Sequence, residues 1–505
     1  MTQIPTAPFS NALSSNAPSS TGPFSNTPVS TAPPPVPAPA PSGPVLSGAG
    51  LFAVLLATVL STMDAFIVNV ALPSIGAELG AAPAALELVV AGYAVSYAAL
   101  MVLGGRLGDA HGRRRMMVLG LIGFGAASLL CGLAVSPAML VAARIAQGAA
   151  AALLLPQGMA TIQATTSGPQ RARAMGMFGA TVGVALAFGQ VLGGLLVAAD
   201  VAGTGWRAAF LINVPLVAVT AVLLRRTVPD TRSERPAPPD RIGALLLGAA
   251  MVLLLAPLTE GRAAGWPVWA WVCLAAFPVA AWAFAATQRR AERAGRVPLL
   301  PPSLLALPGM RRGVPVMMLS MAGFSGFLFT AAVSLQNGLG LGPVAAGCSL
   351  VPYAVAFFAS SVLGPRLAPR LGGRAVTVGI GIQLAGLAGL VWAVASAWST
   401  TAPLTTVLWL ALPLAVVGFG QGMHLPVLFR VVLADVPPER AGVGSGAMGT
   451  GQQIAMASGI ALLGALFLHL LPRIGIGEAF AWTIAAQALS AVVNLGLSLR
   501  LRDGR

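Results

Sequence analysis

The sequence has no lysine, three cysteines, three histidines and few charges of any kind. Charged residues fill 9% of its 505 positions and hydrophobic residues 56%, a balance that no water-soluble domain of this size keeps in solution. Cys131, Cys273 and Cys348 each lie within or at the edge of an apolar stretch, with no CxxC pair and no histidine beside them. That pattern excludes a cysteine and histidine metal set and reads as three small core residues. His424 and His469 are isolated, and neither is assigned as a metal ligand. The scattered histidines offer none of the His and acid pairs or nucleophile clusters that a membrane-embedded enzyme such as an acyltransferase needs. The chain has no Walker-type phosphate loop, which agrees with a power source other than ATP, and no cofactor is expected. The net charge of +15 comes from 29 arginines against 14 acids. These arginines cluster in short loops between apolar runs, which makes them topology signals rather than a nucleic-acid-binding face.

What is present in abundance is long apolar runs. A helix crossing ~30 Å of hydrocarbon needs about 20 apolar residues. Such stretches begin near 51, 87, 116, 138, 172, 207, 242, 267, 314, 344, 375, 404, 440 and 478, the last ending near 499. The predicted fold class is an all-α polytopic membrane protein with fourteen transmembrane helices. An even count puts both ends on one side, and the arginines say which. Loops on the terminal side hold twenty-five of them, opposite loops only Arg207, Arg262 and Arg473, and Arg144 alone lies deep in a span. Both termini are therefore expected in the cytoplasm, with the protein in the cytoplasmic membrane. Residues 1–48 carry no charge and are rich in Pro, Ser, Ala and Thr. They read as a disordered cytoplasmic tail without a cleavable signal, so the first span should act as its own insertion signal.

The chain also repeats itself. Gly105-Arg106-Leu107-Gly108-Asp109-Ala110-His111-Gly112-Arg113-Arg114-Arg115 has a worn copy from Gly364 to Arg374. Offsets of 260 for this turn, 269 from Arg171 to Arg440 and 274 from Gln147-Gly148 to Gln421-Gly422 align spans one to six with spans nine to fourteen. Residues 49–226 and 313–500 are thus predicted to form two six-helix bundles. Residues 227–312 form a linker carrying two extra central helices, and 501–505 a short cytoplasmic tail. Two similar bundles facing one another suit a transporter that rocks about a shared cavity.

An ionised side chain in hydrocarbon costs several kcal/mol unless paired or hydrated. Only Asp64, in the first span, and Arg144, in the fourth, lie that deep. They read either as a proton carrier with a tuning partner or as a fixed ion pair holding two helices. Glu87, Glu260 and Glu478 lie at span ends and read as hydrated surface carboxylates. In the charged turn, Gly105 and Gly112 permit close approach, while Asp109 can pair with Arg113 or accept from nearby amides. With Arg114 these residues form a candidate conformational clasp. The fifth span carries Gly176, Gly179, Gly183, Gly189, Gly193 and Gly194, spaced for a tight crossing; dimerisation is one reading, and the matching glycines from Gly442 to Gly451 favour a gating contact within the molecule. Asn69, Gln157, Gln190, Gln336 and Gln383 are candidates to line a wet cavity, any one of them equally a candidate to bond a neighbouring helix.

These motifs resemble the major facilitator superfamily, in particular its fourteen-span drug:proton antiporters, over roughly 51–500. Gly105 to Arg114 is similar to the loop between spans two and three of that superfamily. Met63-Asp64 with Ile67-Val68-Asn69-Val70-Ala71-Leu72-Pro73 resembles the first-span motif, whose acid the resemblance implicates in proton handling. Arg144-Ile145-Ala146-Gln147-Gly148 resembles the fourth-span motif, whose arginine is linked to proton transfer. Trp206-Arg207 with Phe210-Leu211-Ile212-Asn213-Val214-Pro215 resembles the start of span six. Ala110 stands where the family has a basic residue, which moves the clasp onto Arg113, and Gln190 stands where span five has proline.

The expected function is proton-driven export of an amphipathic drug or antibiotic by a monomer, with the lipid bilayer and protons as its other partners. Because one deep acid balances one deep arginine, neutral, zwitterionic or weakly charged compounds are expected over dications. The rival readings are a nutrient or metabolite importer on the same fold and, more remotely, a membrane-embedded enzyme.

Overall fold

The computed structural model describes residues 45–200, 203–232, 240–261, 265–371, 374–398 and 402–501; a few side chains within helices are also outside the described residues. The expected tail, apart from its last few positions, and most of the side chains in the second copy of the charged turn fall outside them.

The described chain is nearly all helix. It begins with α1 (Gly48–Leu79), α2 (Pro83–His111), α3 (Arg113–Gly132), α4 (Pro137–Ala151), α5 (Leu155–Thr165) and α6 (Gly168–Ala199). A 3₁₀ turn at Gly205–Arg207 leads into the short α7 (Ala208–Leu211) and α8 (Asn213–Thr227). Next come α9 (Arg241–Glu260), α10 (Val268–Arg293) and the short α11 (Pro302–Leu305). The chain closes with α12 (Pro308–Val333), α13 (Pro343–Ser349), α14 (Val351–Leu371), α15 (Arg374–Ala397), α16 (Pro403–Leu433), α17 (Ala441–Ile474) and α18 (Ile476–Leu499). Among the described residues, twelve helical segments are long and apolar enough to cross a membrane. The two remaining expected spans, near 172 and 344, fall on α6 and on α13 with α14, which are helical and partly outside the described side chains.

Local signals set the helix ends. Ser47 and Ser136 accept from the amides of Gly50 (3.0 Å) and Met139 (3.2 Å), satisfying donors that a helix start leaves open. Gly80 ends α1 in the left-handed conformation that favours glycine. Between α4 and α5 the helix is broken at Ala152–Leu154. Pro156 explains the break, because it has no N–H to give the preceding turn.

Packing repeats between the two halves. In the first, α1 lies along α6, α2 on α4 and α3 on α8; in the second, α12 lies along α17, α14 on α16 and α15 on α18. The halves meet where α2 packs on α17 and where α6 packs on α14. α9 fits against both α2 and α17, and α10 packs outside it on α9. Only 11% of the α10 span is buried inside the protein, against 61% of α3. Its Trp269, Trp271, Val279 and Trp282 are exposed, an outer face that only lipid would cover favourably. Cys131 is buried as expected, but Cys348 is exposed, so it is not a core residue.

The inserted pair is also tied down at one end. Asp240 caps α9 through Gly243 N (2.7 Å) and accepts from Gln288 of α10 (2.9 Å) and from Leu299 N (3.1 Å). Arg106 of α2 donates to the carbonyl of Pro298 in the same loop.

Candidate functional site

The charged turn after α2 reaches across to the other half of the molecule. Asp109 is 4% exposed and accepts from Arg113 Nη2 at 2.9 Å and Nε at 3.3 Å. It also accepts from the backbone amides of Gly442 and Val443, both at 3.1 Å. Those amides open α17, so a carboxylate of the first half caps a helix of the second, where the helix dipole favours negative charge. The approach depends on glycine: a Cβ at Gly105 would stand 2.0 Å from the Gly442 carbonyl oxygen, and one at Gly442 2.4 Å from that of Gly105. Gly112 turns the chain at φ 100, which a side chain would resist. Arg113 pairs with Asp109, the contact expected where Ala110 offers no basic side chain. Arg114 instead donates to the Val228 carbonyl (3.2 Å) beyond α8 and does not touch Asp109.

A residue that sequence reasoning missed grips the same loop from its other side. Gln163, on α5, donates through Nε2 to the carbonyls of Leu433 (2.8 Å) and Val436 (3.2 Å) at the end of α16. The α16 to α17 connection is thus held at one end by Gln163 and at the other by Asp109. Ser445 adds a bond to the Pro156 carbonyl (2.9 Å).

The two deep charges meet. Arg144 donates to Asp64 Oδ2 at 2.6 Å, and both side chains are fully buried. Gln147 (3.0 Å) and Asn213 (2.7 Å) donate to Asp64 Oδ1, and both amides also reach Ser128 Oγ. Arg144 further donates to Gln147 Oε1 (2.6 Å) and to the Val89 carbonyl (3.0 Å). Helices α1, α2, α3, α4 and α8 therefore converge on one ion pair, in which both Asp64 oxygens are bonded while Arg144 Nη2 and Asn213 Oδ1 are buried without a hydrogen-bond partner among the described residues. Tyr93 stacks its ring 4.3 Å from the Arg144 guanidinium carbon and donates to the Ser61 carbonyl (2.8 Å).

Tyr93 also forms part of a cavity wall. The cavity, of about 480 Å³, runs from Phe429, one turn short of the clasp end of α16, to Glu260 and Trp266 at the end opposite the clasp. It is bounded by α1, α2, α5, α6, α9, α12, α14, α16 and α17, so it lies between the two halves. Most of its lining is aromatic or aliphatic, with Ser61, Thr62, Thr259, Gln452 and Gln453 as polar points. Asp64 and Arg144 lie behind this wall, separated from the space by Tyr93 and its neighbours. Their charge balance therefore does not describe the surface a substrate would meet, and the argument from it to neutral cargo does not hold.

Several expectations change accordingly. Gln157 is not on the wall: it is fully buried and donates to the Gly104 carbonyl (2.7 Å), bonding α5 to α2. Gln336 sits on a π-helical turn at Ser334–Gly338, away from the cavity, and Gln383 is buried in α15 outside it. The side chains of Asn69 and Gln190, like Gly183 and Gly194, are outside the described residues. Glu260 is not a hydrated surface carboxylate but 7% exposed and on the cavity wall. The glycines of α6 divide: Gly189 and Gly193 press on the Met63 and Ile67 carbonyls of α1 within the same half, while Gly179 meets Pro426 of α16 in the other. His424 bonds Ser320 (3.1 Å) and the Gly420 carbonyl (2.9 Å), and no metal cluster occurs among the described residues.

The model of the Major Facilitator Superfamily matches residues 54–460. The chain belongs to the Major Facilitator Superfamily. It is a transporter, not an enzyme. It is 37% identical over 428 residues to the "Probable actinorhodin transporter" of Streptomyces coelicolor, covering 84% of this chain and 73% of that protein. It is 36% identical over 415 residues to the "Cephamycin export protein CmcT" of Amycolatopsis lactamdurans, covering 80% and 82%. The crystal structure of the human organic anion transporter MFSD10 (TETRAN) superimposes with a TM-score of 0.64 at 16% identity, over 89% of this chain and 99% of that one. That likeness establishes the superfamily's fold.

Within this superfamily architecture the buried pair is not duplicated. By the 274-residue offset, Gly418 stands where Arg144 does and Gln487 where Asn213 does. Gln421, the counterpart of Gln147, accepts from Tyr353 (2.5 Å). The second half repeats the helices of the first without its ion pair.

Proposed function

We propose that this transporter exports an amphipathic drug or antibiotic from the cytoplasm by alternating access, driven by protons. The observation that carries the reading is the pairing of a closed clasp at one end with a cavity that extends to the other. Residues 49–226 and 313–500 serve as the two rocking bundles, with 227–312 supplying the inserted helices, fourteen spans in all. The arginine-rich clasp end lies in the cytoplasm with both termini, so the cavity faces outward. The chain works as a monomer, because the two halves already close around one another. The relatives named above as a cephamycin exporter and an actinorhodin transporter support the choice of cargo and direction.

Asp64 carries the proton. Protonating it removes the counter-charge of Arg144 inside a low-dielectric bundle, and a buried guanidinium left alone is costly enough to drive rearrangement. Tyr93 transmits that rearrangement to the cavity wall, because its ring lies on Arg144 and its hydroxyl on α1. One proton entering down a 100 mV potential contributes ~2.3 kcal/mol to the cycle.

Everted membrane vesicles with an acid interior test this. Adding a transported compound should dissipate the pH gradient, an uncoupler should stop accumulation, and Asp64→Asn should abolish proton-driven transport while the protein still reaches the membrane. Undiminished accumulation by Asp64→Asn would remove Asp64 from the mechanism. Proton movement in the same direction as the compound would make the protein an importer.

A further inference from the structure

We propose that Arg311, Arg312 and Arg500, together with the outer face of α18, form a site for an anionic phospholipid: its phosphodiester lies among the three guanidinium groups and an acyl chain follows the helix into the membrane. The site lies outside the central cavity and is independent of the export reading.

In the sequence these arginines lie far apart and read only as charges of a membrane surface. The fold brings them together. α12 packs on α18, and the start of one with the end of the other frames a pocket of about 310 Å³ lined by Arg311, Arg312, Pro315, Leu497 and Arg500. Arg311 and Arg500 are exposed and Arg312 is half-buried. None of the three makes an ion pair among the described residues. The Asp435 carboxylate is turned to the Gly309 amide (2.8 Å) instead. Arg311 and Arg312 also sit just inside the start of α12, whose first turn holds no acid, at a helix end where positive charge is unfavourable and a bound anion offsets it. Three guanidinium groups around one pocket repel one another until an anion enters, and a phosphate accepts paired N–H bonds from such forks.

The surface leading away from the pocket decides for a lipid over a soluble phosphate. Leu489, Val493, Leu497 and Arg500 recur at intervals of four, four and three, so they share one face of α18. Leu489 is 68% exposed and Val493 53%. This stripe runs from the pocket along the span, where an acyl chain is the partner that covers it favourably. Basic pockets between helices at a membrane surface hold acidic head groups in this way. The site also adjoins the clasp: Gly309, at the start of α12, bonds Asp435 in the loop that Asp109 and Gln163 grip, so a lipid seated on α12 bears on that end of the molecule.

The test is native mass spectrometry of the full chain in detergent, titrated with phosphatidylglycerol, with phosphatidylcholine of the same chains and with glycerol 3-phosphate. Wild type should bind one phosphatidylglycerol about tenfold or more tightly than phosphatidylcholine. Each arginine at such a surface contributes about fivefold, so Arg311→Gln with Arg500→Gln should weaken that binding by about twentyfold. Both positions are exposed, so the change leaves the core untouched, and Arg311→Lys with Arg500→Lys should keep most of the affinity. Arg225→Gln with Arg226→Gln removes the same charge from exposed positions at the end of α8 and should alter the Kd by less than about twofold. Glycerol 3-phosphate carries the anion without the chains and should not displace the lipid. Equal binding of phosphatidylcholine, an unchanged Kd in the Arg311 and Arg500 glutamine pair, or an equal loss in the Arg225 and Arg226 pair overturns the proposal. Displacement by glycerol 3-phosphate would make the pocket a site for a soluble phosphate and overturns the lipid assignment.

Discussion

Replacing Gly105 with alanine puts a methyl group where the second half of the molecule already lies. The new Cβ would stand 2.0 Å from the Gly442 carbonyl oxygen and 2.6 Å from its carbon. Both are backbone atoms, so no side-chain rotation relieves the overlap, and reaching ordinary contact moves α2 and α17 apart by at least about 1 Å. The two amide bonds to Asp109, each 3.1 Å, then stretch to about 4 Å, beyond hydrogen-bonding range. A hydrogen bond to a charged group is worth about 1.5–3 kcal/mol, so the closed clasp loses about 3–6 kcal/mol, a hundredfold or more in its population against the open form. The shift can be read by electron-electron resonance between spin labels at the exposed Arg115 and Arg440, with Cys273 and Cys348 changed to serine. Gly105→Ala should convert a short distance to a long one and lower kcat. Gly248→Ala, where a Cβ meets nothing within 4 Å, is the control and should change neither. A short distance and full transport in Gly105→Ala would refute the clasp.

Three further outcomes are expected. Gln163→Leu leaves the Leu433 and Val436 carbonyls without their donor and should weaken the same clasp by about 1–3 kcal/mol; combined with Asp109→Asn its effect should be less than additive, since both residues hold one loop, and strict additivity would show that they act separately. Asp64→Asn should cost about 3–5 kcal/mol of stability in detergent by stranding Arg144, and adding Arg144→Met should recover most of it; a double variant as unstable as the single would mean the pair is not the cause. At Asp240 burial opposes ionisation, but the bonds from Gln288, Gly243 N and Leu299 N, with the nearby Arg106, hold its carboxyl below the usual range. A depressed folded value gives stability that is full above about pH 4 and lost as pH falls through that value. The thermal-stability gap between wild type and Asp240→Asn should therefore close on acidification, and a gap constant from about pH 6 to about pH 2 would contradict this.

Much of the architecture was legible because hydrocarbon imposes a simple rule. Apolar runs of one length and a repeated charged turn mark helices and duplication without knowledge of any contact. The pairing of Asp64 with Arg144 was also within reach, since two lone charges in a bilayer have little else to bind. The pairing of Asp109 with Arg113 was legible too, but its partners in the other half were not: the Gly442 and Val443 amides are ordinary backbone groups more than three hundred residues away, and no side chain advertises them.

The sequence by itself determined the membrane class, the positions of the helices, the duplication and the two intramembrane charges, because each follows from transferring particular residues out of water. Only the tertiary structure decided which surfaces face the cavity. Gln157 and Glu260 exchanged their expected places for that reason: an amide in an apolar stretch satisfies itself on whichever carbonyl a neighbouring helix brings near, and a carboxylate at a helix end is wet or buried according to what packs beside it. Those neighbours are set by helix crossings between distant parts of the chain, which local periodicity does not encode.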